Sequence, residues 1–573
     1  LIGEWVDKAI SVVAPGWAAQ RAFHRNSFAE QIKVRELKGG RMTRATARAP
    51  TRSESGNLNQ TYVANLRSRA WDLFQNNPHA NKAVRIIVSQ TIGTGLIPES
   101  SAVDPRTGQV WDEFKARARE LWNLAVPSLC YEGTPGRGGD TLHGMAKMAL
   151  QENIIVGEVL TKFIRFTGSS EASAGRPVPL AVSLAESERL ADLTGWGGRL
   201  TITADRKIPD GGLVYRGVEK NAGGQRTGYY VSKAHPNDPA NPVGANEFEF
   251  WPVKDTLHTY VKHRPTQDRG WSWFSTCNIR LLDIDTFQEN ELQSSTGAAC
   301  IAMGIKKARP SASGFNPLST QVGTDVDTVD ADGNKITHMQ PGMIVPLGPD
   351  DDLVPFNPLR PTTGADVWAI HLLRGVAAGL PGMKASSLTL TFDKSYSAER
   401  AADNDCWREV EQLQEWFAQS WYQPIYAEVI KAGILTGWFN SLPHQGIADD
   451  VFIASLNANV EQLSLAAWHG PYQKAINPAA EENASKIAIM TGTSSLPVEA
   501  AARGLSWKEN IDQQAAVVKY AMDKAAELQC DPAWIMANLT SKPAQPEGKP
   551  AVRSDGHYET NGRLNGVLFG AAA

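Results

Sequence analysis

Apolar side chains recur at helical spacing from Leu66 through Trp71, Phe74, Val84, Ile87 and Val88, and the run Gly93 to Pro98 breaks that pattern. A second amphipathic helix is predicted around Trp111 to Leu124, and a third near Met145 to Ile155. The third passes into a β-rich region, with strands expected in VGEVLTKFI, PLAVSLAE, GGLVYRGVE and TGYYVSK. Between the last two, Asn221 to Gly224 (NAGG) has the composition of a hairpin turn.

From Ser275 the pattern changes. A proline-free stretch of about 28 residues carries Ile279, Leu282 and Phe287, and as one helix it would be about 42 Å long. A Pro/Gly/Asp-rich insert follows over roughly 306–361, with DADGN as a turn and IVPLG as a short strand. Helix returns over Gly364 to Leu380. The polar loop PGMKASSLTLTFDKS (Pro381 to Ser395) then leads into a long helix from Tyr396 to Ile434. Along it Trp407, Val410, Phe417, Trp421, Ile425 and Val429 recur at near-helical spacing, and Pro424 is expected to kink it without ending it. A smaller helical unit spans about Glu461 to Leu528. The first 58 residues read as an arm, and the Pro-, Gly- and Lys-rich end after Thr540 as a tail.

A chain of 573 residues predicts several structural units, and 42% apolar residues are enough for a sizeable core. Seventeen tryptophans suit wide helix packing, with some left for subunit contacts. The formal charge of -4 argues against a free nucleic-acid binder, which would carry a concentrated basic face. Cys130, Cys277, Cys300, Cys406 and Cys530 are odd in number and widely spaced. They indicate neither a disulfide framework nor a zinc site, and reduced thiols in a cytoplasmic setting are expected. No apolar run reaches membrane-spanning length, and the opening residues do not form a signal peptide. The first residue is Leu1 and not Met, so a few native residues are expected to precede it.

Recognisable enzyme chemistry is missing. GxxxxGK[ST], HExxH and GxSxG do not occur, and GTPGRGGD (Gly133 to Asp140) has the wrong spacing for a dinucleotide fingerprint. His143 near Asp140, with Glu152 and Glu158 downstream, can be drawn as an acid–base site for a hydrolase. A helix-opening Asp and solvated carboxylates account for it more simply. The run Asp350 to Asp352 lacks calcium-loop spacing and reads as a solvated turn. We therefore expect no enzyme, no metal and no cofactor.

Six segments, in order, resemble the lambda-like phage portal family. They are LRSRAWDLFQNNPHANKAVRIIVSQTIGTGLIP (Leu66 to Pro98), HGMAKMALQENIIVGEVL (His143 to Leu160), GVEKNAGGQRTGYYV (Gly217 to Val231), LHTYVKHRPTQDRGWSWF (Leu257 to Phe274), YSAER (Tyr396 to Arg400) and a closing unit from Trp468 to Gln514. Two departures stand out: the wording of the loop after Leu380, and Ile476-Asn477-Pro478 where family members carry an Asp.

The resemblance implies an α+β portal fold: a mixed α/β wing, long stem helices, a small α/β clip, a helical crown and a tunnel loop. Mapped onto this chain it gives an N-terminal arm 1–59, wing 60–274, first stem helix 275–303, clip 304–361, second stem helix 362–380 and tunnel loop 381–395. The long helix and return to the wing then take 396–460, the crown 461–528 and the tail 529–573. It implies a ring, usually of twelve subunits, at one capsid vertex of the virion, assembled in the host cytoplasm. The ring would pass double-stranded DNA without reading its sequence. Its implied partners are the major capsid protein, terminase and head–tail adaptor proteins, with no membrane.

Charge fits such a conduit, because a channel rich in Lys and Arg would grip phosphates instead of letting them slide. The first stem helix carries Asp283, Asp285, Glu289 and Glu291 against Arg280 alone, and the clip adds Asp325, Asp327, Asp330 and Asp332. Asp283 and Asp285 are candidate channel residues. So are Lys384 and Lys394 on the tunnel loop, where each would touch phosphates weakly as a point charge. Trp407, Trp416 and Trp421, on one helix, are candidate subunit contacts. The alternative is a minor capsid or head–tail adaptor protein with no channel of its own, and a hydrolase is the remaining class.

Overall fold

The computed structural model describes Trp17 and residues 60–105, 107–167, 175–190, 212–238, 248–300, 304–307, 351–354, 364–391, 395–443, 448–473, 478–503, 505 and 507–528. The expected arm apart from Trp17, most of the clip with DADGN and IVPLG, Lys394 and the tail lie outside the described residues.

The first helical pattern resolves into two helices, α1 (Gln60–Asn76) and α2 (Pro78–Thr91). They divide at Asn77, whose side chain accepts from the Ala80 N–H (2.8 Å) while Pro78 occupies the first turn, where no donor is needed. Strand β1 (Ile97–Ser100) follows, then α3 (Asp112–Ala125) and α4 (Leu142–Ile155), which Thr141 caps through the Gly144 N–H (3.1 Å). The β-rich region forms two antiparallel sheets. β2 (Glu158–Arg165) lies between β3 (Leu180–Ala185) and a later strand. β4 (Leu213–Tyr215), β5 (Val218–Lys220), β6 (Arg226–Ser232) and β7 (Phe248–Pro252) pair in sequence order. GGLVYRGVE is thus two strands and not one. Its break is at Arg216-Gly217, both at positive φ (+49° and +78°), and the NAGG turn closes with Gly224 N–H to Asn221 O (2.9 Å). β8 (Thr256–Tyr260) completes the first sheet against β2.

Helix α5 (Asn278–Cys300) is shorter than the sequence suggested, about 35 Å, because a 3-10 turn at Trp273–Thr276 replaces its first residues. β9 (Gly304–Lys307) pairs with β10 (Asp351–Val354), so the acidic run expected as a turn enters a strand, with Asp351 opposite Lys307 and Asp352 opposite Lys306. α6 (Ala365–Ala377) lies against α5. The loop after it holds a short helix, α7 (Ala385–Thr389), before α8 (Tyr396–Phe417).

The long helix continues through a π turn at Ala418–Tyr422 into α9 (Gln423–Leu435). Pro424 has no N–H to donate back one turn. The wider turn, with the Gln423 N–H bonded to Ala418 O, absorbs that loss ahead of the proline.

α10 (Asp449–Ala458) and α11 (Val460–Leu463) pack on α9, and β11 (Ala466–His469) pairs antiparallel with β1. Residues 461–469 therefore belong to the main body. The separate helical unit begins later than expected, with α12 (Pro478–Met490), α13 (Leu496–Ala502) and α14 (Trp507–Glu527).

One large core joins α2, α3, α4, α8 and α9 to the first sheet. Phe114 stacks on Phe439 at 4.5 Å, and Trp468 on β11 meets Tyr422 and Tyr426 at 5.2 and 5.8 Å. Trp421 is fully buried there and donates its indole N–H to Thr161 Oγ1 (3.1 Å). Of the three tryptophans expected at subunit contacts, Trp421 is thus excluded. It shares the buried face of Val410 and Phe417, and its polar edge is already bonded. Trp416 is half-buried beside Trp273 (6.3 Å), and Trp407 is half-buried.

Candidate functional site

The densest polar chemistry is buried, and it is assembled from the segments that carried the family resemblance. Glu158 opens β2 directly after Gly157 and is wholly enclosed. Its Oε1 accepts from Arg67 Nη2 on α1 and Arg269 Nε, both at 2.6 Å. Its Oε2 accepts from the Gly270 N–H (2.7 Å) and from His258 Nε2 on β8 (2.9 Å). Burial by itself would raise the Glu158 carboxyl, but Arg269 and Arg67, with His258, hold it well below the usual carboxylate range. Burial lowers His258 despite Glu158, and its hydrogen bond to the Glu158 carboxylate calls for a proton on Nε2.

Arg269 reaches further, to Arg216 O (2.9 Å) and Ser187 O (3.1 Å), so one guanidinium ties both sheets to the loop between them. Gln267 folds the loop after β8 on itself: its Oε1 accepts from the His263 N–H (2.8 Å) and its Nε2 donates to Arg269 O (2.9 Å). Gly157 sits at φ +105°, where a Cβ would strike the Trp271 backbone at 2.1 Å. The Gly-Glu and Arg-x-x-Gln-x-Arg-Gly segments therefore interlock as a structural clasp. Sequence reasoning missed it. The available signal was a lone carboxylate in an apolar strand, with arginines in two distant motifs.

The drawn acid–base site does not assemble. His143 Nδ1 bonds the Tyr422 hydroxyl (3.0 Å), and burial lowers its pKa. Asp140 accepts from the Thr141 N–H (2.6 Å), while Glu158 is consumed by the clasp. Glu152 is buried with Oε1 unpartnered, and burial beside Glu188 and Glu186 pushes its carboxyl up to about 8. Among the described residues no group of His, Cys, Asp and Glu could hold a metal ion, and no helix is long and apolar enough to cross a membrane. Cys130, Cys277 and Cys406 carry free thiols.

The loop from Pro381 is anchored, not free. Met383 and Leu388 are buried in the core. Lys384 Nζ pairs with Glu399 (3.2 Å) and, more closely, with Asp403, both on α8. Ser386 donates to Glu399 (2.7 Å), and the Gly382 N–H to Glu409 (2.6 Å). Lys384, expected to touch phosphates, is thus committed to carboxylates of its own chain. Exposed Leu390 ends α7 in the left-handed region at φ +57°. On α5, Asp285 accepts from Asn77 Nδ2 (2.7 Å), and Asp283 is exposed.

Residues 39–414 match the model of the lambda family of phage portal proteins, about two thirds of the chain. The chain belongs to that family. Its curated relatives include portal protein B of Escherichia phage lambda, 24% identical over 354 residues that cover 57% of this chain and 61% of that one. The portal protein of Escherichia phage N15 is 24% identical over 351 residues, 56% and 61% of the two chains. The chain thus spans about three fifths of the length of these portal proteins. Solved structures similar to it include a chain from the neck of a native GTA particle computed with C12 symmetry, covering 75% of this chain and 89% of that one at 12% identity, TM-score 0.37. Another is from the neck of an empty GTA particle computed with C6 symmetry, covering 80% and 95% at 13% identity, TM-score 0.38. The six segments contain none of the motifs GxxxxGK[ST], HExxH or GxSxG. Four of them supply caps, turns and the clasp, while Glu399 of YSAER holds the loop from Pro381.

Proposed function

We propose that this portal-family chain is one subunit of a closed ring at a capsid vertex, through which duplex DNA enters and leaves the head. The observation that carries this reading is the family match across residues 39–414. Twelve copies is the number the family resemblance implies. The α+β body 60–274 serves as the wing, α5 and α6 as the stem, 304–361 as the clip, 381–395 as the tunnel loop and the helices from Pro478 as the crown. The clip offers the docking face for terminase and head–tail adaptor proteins, and the wing meets the major capsid protein. Terminase supplies the packaging energy, since the chain has no phosphate-binding loop.

The acidic balance of α5, with Asp283, Asp285, Glu289 and Glu291 against Arg280, supports a channel that repels DNA enough to let it slide. With Lys384 held by α8, Lys394 is the remaining loop cation for weak phosphate contact. Native mass measurement of the purified protein, with images of the particle, tests the reading. A closed ring with a central hole is expected. A monomer or an open oligomer would instead favour an adaptor or minor capsid role without a channel.

A further inference from the structure

Helices α12, α13 and α14 meet the main body through a thin junction. None of their described side chains joins the main core. Among the described residues of these helices, Lys508 makes the one ion pair or side-chain hydrogen bond to the body, with Nζ 2.8 Å from Asp112 Oδ1 on α3. Both side chains are more than half exposed (53% and 62%). Beside the pair is a cavity of about 430 Å³. Trp507 and Lys508 line it from the unit, and Pro98, Val110, Ala116 and Tyr426 from the body. Val110 on that wall is 61% exposed and Trp507 is half-buried, so the two faces are not packed together. Side chains that face a gap forfeit their dispersion contacts. Charge, and not packing, therefore closes this junction.

We infer that the α12–α14 unit is a flap that swings on the main body, latched by Lys508 on Asp112. The pair is built to release. It lies at the surface, so opening strands no buried charge, and exposed pairs are weak. Each partner is also provided for when they separate. Asp112 stands in the first turn of α3, where the helix dipole favours a carboxylate, and Lys115 on the next turn also draws its pKa down. Lys508 lies 5.8 Å from the ring of its own neighbour, Trp507. The flap begins well beyond residue 414, where the family match ends, and no core residue of the body has to move with it. Salt should act as the release, because ions screen exposed charges. The latch and the ring are independent, and either can fail alone.

Hydroxyl-radical footprinting of the full chain reads the flap through oxidation of Trp507, which loses its opposite wall when the latch opens. Trp421, fully buried in the main core, reports unfolding in the same sample. Lys508→Glu and Asp112→Lys, each alone at low salt, should raise Trp507 oxidation about threefold with Trp421 unchanged, a size that suits an exposed pair. Both substitutions together restore opposite charges and should bring Trp507 at least halfway back to wild type. In wild type, about 1 M salt should raise Trp507 oxidation to the level of the single variants. Equal Trp507 oxidation in wild type and both single variants would overturn the latch, as would a wild-type rate that salt does not move. If Trp421 oxidation rises in a charge-reversed variant, Lys508→Met decides by the same comparison.

Discussion

Two buried carboxylates on neighbouring elements respond to burial in opposite ways, and the difference is their company. Glu158 has two guanidiniums, an imidazole N–H and a backbone N–H, and so stays ionised. Glu152 has an unpartnered oxygen and two acidic neighbours, with Arg67 lowering it only weakly. Its folded pKa of about 8 lies above the ordinary 4.5, so its proton favours the folded state. That contribution is complete below about 4.5 and is lost as pH rises to about 8. Glu158 has the reverse sign: its contribution is present above its ordinary value and lost as pH falls. Denaturant unfolding across pH 5 to 9 should show stability declining on the alkaline side by a few kcal/mol, at about 1.4 kcal/mol per tenfold change in proton affinity. Glu152→Gln should flatten that decline. An unchanged slope in the variant would remove Glu152 as its source.

Among the elements, the loop between α6 and α8 departs most from its sequence. SSLTLTF alternates like a strand, yet Ala385–Thr389 is helical. The alternation is overridden by Met383 and Leu388 entering the core and by Lys384 reaching α8. Lys384→Met should loosen that anchor at a cost of about 1 kcal/mol, since the ion pair is only partly shielded. Limited proteolysis should then cut between residues 384 and 391 several-fold faster. Equal rates would show that Gly382 and Ser386 suffice to hold the loop. Helices and strands with plain periodicity were legible: α3, α4, β2, β3 and β6 fall within a few residues of expectation. What was not legible depended on distant partners. The clasp joins residues 67, 158, 258 and 269, and no local spacing brings them together. The π turn itself was not legible, because helical periodicity places Trp421 beside Val410 and Phe417 with or without it.

At the scale of the molecule, packing is uneven. The main body shares one core, whereas the helices from Pro478 bury only Ala500, Ala521 and Ala525 among their described apolar residues. Ile487, Val498, Tyr520 and Met522 there are exposed. Helical stability in a protein comes mainly from tertiary packing, so hydrogen exchange on isolated subunits should find α12, α13 and α14 exchanging at least tenfold faster than α9. Equal protection would mean that contacts such as Lys508 to Asp112 (2.8 Å) hold the unit firmly. In this chain the segments that carried the resemblance supply pieces of the clasp, the caps and the hairpin.

The π turn at Ala418–Tyr422 has one more consequence. One added residue advances the azimuth of everything after it by about 100°. α8 turns Glu399, Asp403 and Glu409 toward the loop they hold, and α9 turns Tyr426 into the aromatic core. The turn acts as a slip joint between two rulers. It lets a single continuous rod satisfy two environments, the loop on one side of the turn and the aromatic core on the other.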